Sequence, residues 1–163
     1  MRVHVPVLRA FRLAGGIAAA AALSVTASCS ALPFIGGKPS VRLVMEAAPL
    51  VNSCGEAKGL PLTVRVLQVS DASALSGITL DRLWDREEKV LGSALLARGD
   101  AIVDPGTRKE VKFDRVSQAK SVVVVGNFCK AEGACWYVIK PLKGGGATLK
   151  LSLGPTCLQE TKR

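Results

Sequence analysis

The sequence predicts an all-β, two-sheet β-sandwich with a small helical insertion. Short stretches of alternating or continuous apolar residues recur over residues 41–153, and residues typical of turns separate them. One segment departs from this pattern, because its apolar residues Leu80, Leu83 and Trp84 have the spacing of one helix face. The chain that follows residue 28 is long enough to bury a hydrophobic core of its own.

The N-terminal 28 residues have the layout of a secretory signal peptide. Three arginines precede an alanine-rich apolar run over residues 13–25, which is too short to span a membrane comfortably. Small residues follow, and then Cys29. This order resembles the lipobox of bacterial lipoproteins, whose cysteine takes a diacylglycerol and becomes the new N-terminus, although that motif prefers leucine where this chain has Thr26. The alternative is an ordinary cleaved signal followed by an incidental cysteine.

We therefore expect a lipoprotein signal peptide over residues 1–28, a lipidated tether over 29–40 and a β-sandwich domain over 41–163. Three of the 22 basic residues lie in the signal segment, so 19 remain against 13 acidic residues, a net charge of about +6. The basic residues are scattered, which is typical of a solvated surface and also suits an anionic lipid face or an acidic partner. A nucleic-acid site would need clustered basic residues interleaved with aromatic ones, and this sequence lacks that pattern.

The catalytic chemistry open to the chain is restricted, because its only histidine is His4, within the expected signal peptide. The processed chain therefore has no Ser-His-Asp or Cys-His catalysis and no histidine-ligated metal site. The carboxylates of residues 81–88 alternate with basic residues, so we interpret them as a solvated helix face with local ion pairs. The glycines of residues 144–146 lack the remainder of a phosphate-binding loop and predict a turn. The sequence thus predicts a binding protein that is not an enzyme and needs no cofactor.

The cysteines predict two disulfides. Once Cys29 is assigned to lipid, Cys54, Cys129, Cys135 and Cys157 remain, and an oxidising periplasm favours their pairing. Cys129 and Cys135 flank a polar turn, so we expect them to clamp the neck of a hairpin. Cys54 and Cys157 would then join the first loop to the C-terminal tail. A four-cysteine zinc site is the alternative, and the absence of paired C-x₂-C spacings argues against it.

The strands and the helix follow from the periodicity of apolar residues. Thr63 and Arg65 are expected to face solvent from the second strand. Thr79 is expected to cap the helix, and Leu95 and Leu96 are expected to continue the apolar, helical insertion. Strands are expected, in chain order, over residues 41–47, 62–69, 101–103, 111–113, 122–125, 136–139 and 149–153.

Two further local features concern turns and packing. Residues 104–107 have proline and glycine at the positions that a type II turn requires. Trp84 and Trp136 each lie within an apolar pattern, so we interpret both as packed residues rather than as ligand platforms.

The order of these features resembles the type VI secretion system outer-membrane lipoprotein family, known as TssJ, SciN or VasD. No single motif is specific, but their order downstream of a lipobox is fairly specific. One departure is Leu67, where the family has tyrosine. The stretches that carry the resemblance are residues 62–69 (LTVRVLQV), 80–84 (LDRLW), 91–96 (LGSALL), 104–106 (DPG), 122–128 (VVVVGNF) and Trp136.

The resemblance implies a transthyretin-like sandwich anchored in the inner leaflet of the outer membrane. It also implies binding to the periplasmic C-terminal region of the inner-membrane protein TssM, within a trans-envelope complex that includes TssL. In the family the loop between the first two strands contacts TssM, and here Asn52, Glu56, Lys58 and Leu60 are the expected contacts. The alternative is another small periplasmic binding lipoprotein, such as a secretin pilotin or a transthyretin-like chaperone.

Overall fold

The computed structural model describes residues 38–161, and within them the predicted two-sheet sandwich is confirmed. A single α-helix in this part of the chain, α1, spans Leu80–Leu91 and connects the second strand to the third. The strands are β1 (Ser40–Ala47), β2 (Leu62–Val69), β3 (Leu95–Val103), β4 (Arg108–Asp114), β5 (Ser121–Gly126), β6 (Tyr137–Pro141), β7 (Ala147–Leu153) and β8 (Leu158–Glu160).

The strands form two four-stranded sheets. One sheet has the order β4-β1-β7-β8 and the other the order β3-β2-β5-β6. Every neighbouring pair is antiparallel except β1 and β7, which run parallel from the Val41–Ala147 pair to the Ala47–Leu153 pair. Consecutive strands β3 and β4 belong to different sheets, so their connection crosses from one layer to the other.

The inner faces of the two sheets form the core. Gln68 shows which face of β2 is inner, because its side chain donates to the carbonyl of Asp114 in the other sheet at 2.7 Å. The core is tightly filled between β3 and β4, where a Cβ added to Gly99 would lie 2.2 Å from a ring carbon of Phe113. The buried residues of the inner faces include Leu43, Met45, Val64, Val66, Val122, Val124, Leu149 and Leu151.

Helix α1 covers the outer face of the β3-β2-β5-β6 sheet. This explains why β5 is apolar on both faces, with residues 122–125 all buried as predicted. Leu80, Leu83 and Leu91 are buried along the helix, which begins after Thr79 as expected. The side chain of Thr79 makes no capping hydrogen bond, so the expectation of a side-chain cap is wrong.

The helical insertion ends earlier than the apolar pattern indicates. Leu95 and Leu96 lie in strand β3, so the expectation that they continue the helix is wrong. The reason is Gly92, whose positive φ of 51° reverses the chain directly after α1. Further along, Gly106 has φ of 69° and the amide of Thr107 donates to the carbonyl of Asp104 at 3.2 Å, as the predicted turn requires.

Arg65 lies beneath α1, and the expectation that it faces solvent is wrong. It is 7% exposed, its guanidinium lies 3.9 Å above the Trp84 ring, and its Nη1 donates to the Trp84 carbonyl at 2.9 Å and to Glu87. Its Nε donates to Asp100 at 2.9 Å. Glu87 is itself buried and also pairs with Arg98. The partners of Glu87 are therefore sheet arginines, which corrects the interpretation of a solvated helix face with local pairs only.

Candidate partner-binding surface

The strand order brings four connections together at one end of the sandwich, which we call the loop end. They are residues 48–61, 104–107, 127–136 and 154–157. The opposite end, where the chain enters β1 at Ser40, is called the entry end. Eight residues of β1 separate the two ends, a distance of about 26 Å.

The four cysteines of the domain form disulfides at the loop end, but the expected pairing is wrong. Cys54 is joined to Cys129, with their Cα atoms 5.5 Å apart, and Cys135 is joined to Cys157 at 5.1 Å. The predicted clamp between Cys129 and Cys135 does not form. Because all four thiols are taken up in these bonds, the alternative of a four-cysteine zinc site is also wrong.

The positions of Cys129 and Cys135 in their loop explain the observed pairing. The Cys129 amide donates to the Asn52 side chain at 3.0 Å, which places this cysteine against the first loop. The Cys135 carbonyl accepts from the Leu158 amide at 2.9 Å, which places that cysteine against β8. The ten-residue loop 127–136 therefore presents its two cysteines to different neighbours, and the two disulfides link the loops of both sheets.

The buried Asn52 side chain fixes the first loop (residues 48–61) through hydrogen bonds at both of its polar atoms. It is 8% exposed, its Nδ2 donates to the Pro61 carbonyl at 3.2 Å and its Oδ1 accepts from the Cys129 amide. Asn52 and Cys54 both have positive φ, 50° and 56°, a conformation that residues with a side chain rarely adopt. The amide of Leu60 donates to the Val51 carbonyl at 2.9 Å and closes the base of the loop. The backbone of this loop is thus fixed at several points.

The exposed part of the first loop carries both charges and apolar groups. Glu56 and Lys58 are exposed, and Leu60 is half-buried. Leu50, which the sequence pattern does not single out, is 45% exposed and follows Pro49 at the start of the loop. Its only sequence signal is an apolar residue just after the strand pattern ends. An exposed leucine in the same loop as two exposed, opposite charges makes this loop suited to binding another protein.

Other kinds of site are not found in the described part of the chain. No group of three or more His, Cys, Asp or Glu side chains within residues 38–161 is arranged to hold a metal ion. No helix among these residues is long and apolar enough to cross a membrane. Trp136 is packed as predicted, being 4% exposed, and Trp84 is half-buried over Arg65. The expected lipidation site, Cys29, lies outside the described residues.

Comparison with known families decides the identity of the chain. Residues 39–155 match the family described as type VI secretion lipoprotein, VasD, EvfM, TssJ. The chain belongs to this TssJ family. The resemblance inferred from the sequence motifs is confirmed, and with it a structural, membrane-bound lipoprotein component of the cell envelope.

Solved structures related to type VI secretion share the fold of this TssJ-family chain. The Lip protein of Serratia marcescens, a membrane-bound component of the type VI secretion system, is 20% identical, with a TM-score of 0.69 over 76% of this chain and 98% of its own. The Pseudomonas aeruginosa lipoprotein TssJ1 is 19% identical, with a TM-score of 0.68 over 78% and 98%.

A third structure, described as the TssM C-terminal domain from EAEC, contains a chain that is 16% identical, with a TM-score of 0.66 over 77% of this chain and 99% of its own. At these identities the likeness shows the fold. No curated protein matches the chain in a direct sequence comparison.

Proposed function

We propose that this TssJ-family lipoprotein is cleaved after residue 28, lipidated on Cys29 and held at the outer membrane, with its loop end binding the periplasmic domain of a TssM-type inner-membrane protein. Through that partner it would join TssL in the trans-envelope complex. Residues 29–40 would serve as the tether and residues 41–163 as the binding domain. Ser30 supports the outer-membrane destination, because by the bacterial sorting rule an aspartate there would retain a lipoprotein in the inner membrane.

The direction of β1 is the observation that carries the proposal. The chain enters β1 at the entry end and reaches the loop 48–61 at the other end. A lipid on Cys29 is therefore connected to the domain at the end opposite to Leu50, Glu56 and Lys58. A partner that extends from the inner membrane would meet the loop end first, about 26 Å from the tether attachment.

The rigidity of the first loop supports a binding role. Its backbone is held by the Cys54–Cys129 disulfide and by both ends of the Asn52 side chain. A loop already fixed in one conformation loses less entropy on association than a flexible loop. The partner is inferred from the family and from the similar fold in the structure described as a TssM C-terminal domain.

Calorimetric titration of the processed chain with a TssM periplasmic domain tests the surface. Leu50→Asp should weaken binding at least tenfold, because a charge would replace an apolar contact. Ile139→Asp is the matched control, since Ile139 is a 36% exposed apolar residue on β6 outside the loop. Equal effects of the two variants, or none from Leu50→Asp, would move the interface away from the first loop.

Charge reversal tests the polar part of the same surface. Glu56→Lys combined with Lys58→Glu keeps the net charge and should weaken binding, since complementary charges would become opposed. Failure of the unaltered chain to bind any TssM periplasmic domain would refute the proposed partner.

Membrane fractionation tests the anchor independently. The unaltered protein should sediment with outer membranes, and Cys29→Ser should leave it soluble or unprocessed, because the acyl chains supply the membrane affinity. Ser30→Ala is the control and should not change the fraction. Unaltered protein in the soluble periplasm or the inner membrane would contradict the proposal.

A further inference from the structure

The entry end of the domain carries an excess of basic residues. It is formed by residues 38–39, 70–72, 115–120 and 142–146, because the strands that precede or follow these segments all start or finish there. The four segments contain one acidic residue, Asp71, and a second, the exposed Asp114, ends β4 directly before Arg115. Their basic residues are Lys38, Arg115, Lys120 and Lys143.

At the loop end, acidic residues outnumber basic ones. Its four connections contain two basic residues against three acidic ones. The two ends of the sandwich therefore differ in charge, and the basic excess lies where the chain leads back to Cys29. The charged residues of the loop end are Glu56, Lys58, Asp104, Lys130 and Glu132.

Hydrogen bonds join three of the entry-end segments, residues 38–39, 115–120 and 142–146, into one fixed surface. The Arg115 amide donates to the Pro39 carbonyl at 2.9 Å, and its guanidinium donates to the carbonyls of Gly145 and, at 3.2 Å, Ala119. The Lys120 amide donates to the Val69 carbonyl at 2.9 Å, which ties this surface to β2. The lysines at residues 38, 120 and 143 are exposed on this framework. Their charges are thus presented together from both sheets.

We propose that the entry end lies on the headgroups of anionic phospholipids in the membrane that holds the lipid anchor. This inference rests on the proposed lipidation of Cys29. The nine residues from Cys29 to Lys38 reach at most about 30 Å, so the anchor keeps the entry end close to the bilayer surface. Lysine and arginine side chains near such a surface are attracted to it within about one Debye length, roughly 8 Å at physiological salt.

The consequence is a preferred orientation of the domain. A lipid on a Gly- and Pro-containing tether permits many orientations, whereas a basic surface drawn to the headgroups selects the one with the loop end directed away from the membrane. Each basic side chain contributes about a fivefold gain in membrane affinity. The surface therefore acts together with the lipid and turns the partner-binding loops toward the periplasmic space.

Vesicle co-sedimentation tests the proposal without the lipid anchor. The processed chain carrying Cys29→Ser is mixed with phosphatidylcholine vesicles containing about 30% phosphatidylglycerol, at low salt. It should bind these vesicles at least tenfold more strongly than pure phosphatidylcholine, and salt should weaken the binding. The combined change Lys38→Gln, Lys120→Gln and Lys143→Gln should abolish this preference.

A charge-matched control separates a defined surface from general attraction. Arg82→Gln, Lys58→Gln and Lys130→Gln remove three exposed charges from the helix and the loop end and should retain most of the vesicle binding. Equal losses in the two triple variants, or no preference for phosphatidylglycerol, would overturn the inference. Neither TssM nor the acyl chains enter this assay, so its failure is distinguishable from failure of the proposed function. Circular dichroism spectra would verify that each variant is folded.

Discussion

Replacing Glu87 by glutamine tests how α1 is attached to the sheet. The buried Glu87 side chain joins the buried Arg65 side chain to Arg98. Breaking a buried ion pair by removing one partner costs about 3–5 kcal/mol. Arg65 keeps Asp100 at 2.9 Å and the Trp84 carbonyl at 2.9 Å, and glutamine preserves the size of the side chain and one of the two oxygens that accept from Arg65 and Arg98. We therefore expect Glu87→Gln to lower the free energy of unfolding by about 1–3 kcal/mol.

Urea denaturation of the processed chain measures this loss. With a slope of about 1–3 kcal/mol per molar urea, the midpoint should fall by roughly 1 M while the slope is unchanged. Near-ultraviolet circular dichroism should change as well, because Trp84 packs against the Arg65 guanidinium. Glu88→Gln is the matched control, since Glu88 is an exposed neighbour on the same helix. This substitution should change the free energy of unfolding by less than about 0.5 kcal/mol.

Replacing both Arg65 and Glu87 by apolar residues shows whether the loss of stability comes from removing the ion pair or from leaving one buried charge without its partner. Arg65→Met combined with Glu87→Leu removes both buried charges, so it should be less destabilising than Glu87→Leu alone, which leaves Arg65 underpaired. If the double variant loses as much free energy of unfolding as the two single variants together, Arg65 and Glu87 do not stabilise each other. A Glu87→Gln midpoint equal to that of Glu88→Gln would refute the structural role of the network.

Two further predictions concern the disulfides and acid. Cys54→Ala with Cys129→Ala opens a bond between residues separated by 75 positions, and should lower the free energy of unfolding by about 4 kcal/mol, measured by urea denaturation. Burial would raise the pKa of Asp100, but hydrogen bonds from Arg65 and Arg98 outweigh it and hold that pKa below its ordinary value. Its ionised form therefore stabilises the fold above the unfolded-state pKa, about 3.9, and this contribution is lost as pH falls through the lower folded-state pKa. Below about pH 4 the midpoint temperature of thermal unfolding should depend less steeply on pH in Asp100→Asn than in the unaltered chain. An unchanged dependence would show that the Asp100 carboxylate does not contribute to the acid sensitivity of the fold.

The strands were predictable because their signals are local. Alternation places β1 and β7 correctly, and the continuous valines of residues 122–125 correctly indicate a strand covered on both faces. Strand β8 was missed, since its three residues are too few to show a period. Local patterns predict individual strands and helices. The parallel pairing of β1 with β7 depends instead on contacts between residues that are far apart in the sequence.

The environment of Arg65 was not predictable from its own position. An arginine in an alternating strand usually faces water, and only the helix that crosses the outer face makes this one buried. A signal was nevertheless present, because Leu67 and Val69 share its face and are fully buried. Apolar residues on both faces of β2 indicate a second covering layer. The burial of Glu87 is the matching consequence on the helix.

In the candidate site too, features set by neighbouring residues were predictable, whereas features set by residues distant in the sequence were not. Glu56 and Lys58 were correctly expected to be exposed, as charges in a loop. The role of Asn52 depends on Cys129, which is 77 residues away and donates its amide to the asparagine side chain. Four cysteines allow three pairings, so spacing alone could not select the observed one. The exposed Leu50 has no periodic partner in the sequence that would distinguish it from a core residue.

The distribution of crosslinks suggests why the loop end carries both disulfides. Together they join the loops 48–61, 127–136 and 154–157 across the two sheets, whereas the entry end is held by hydrogen bonds, including those of Arg115. Loops at the end of a sandwich are ordinarily its most mobile segments. A domain that binds through such loops gains affinity when they are ordered before association. The rigid end of the molecule is therefore the end proposed to meet the partner, and the basic end is the one proposed to lie nearest the membrane.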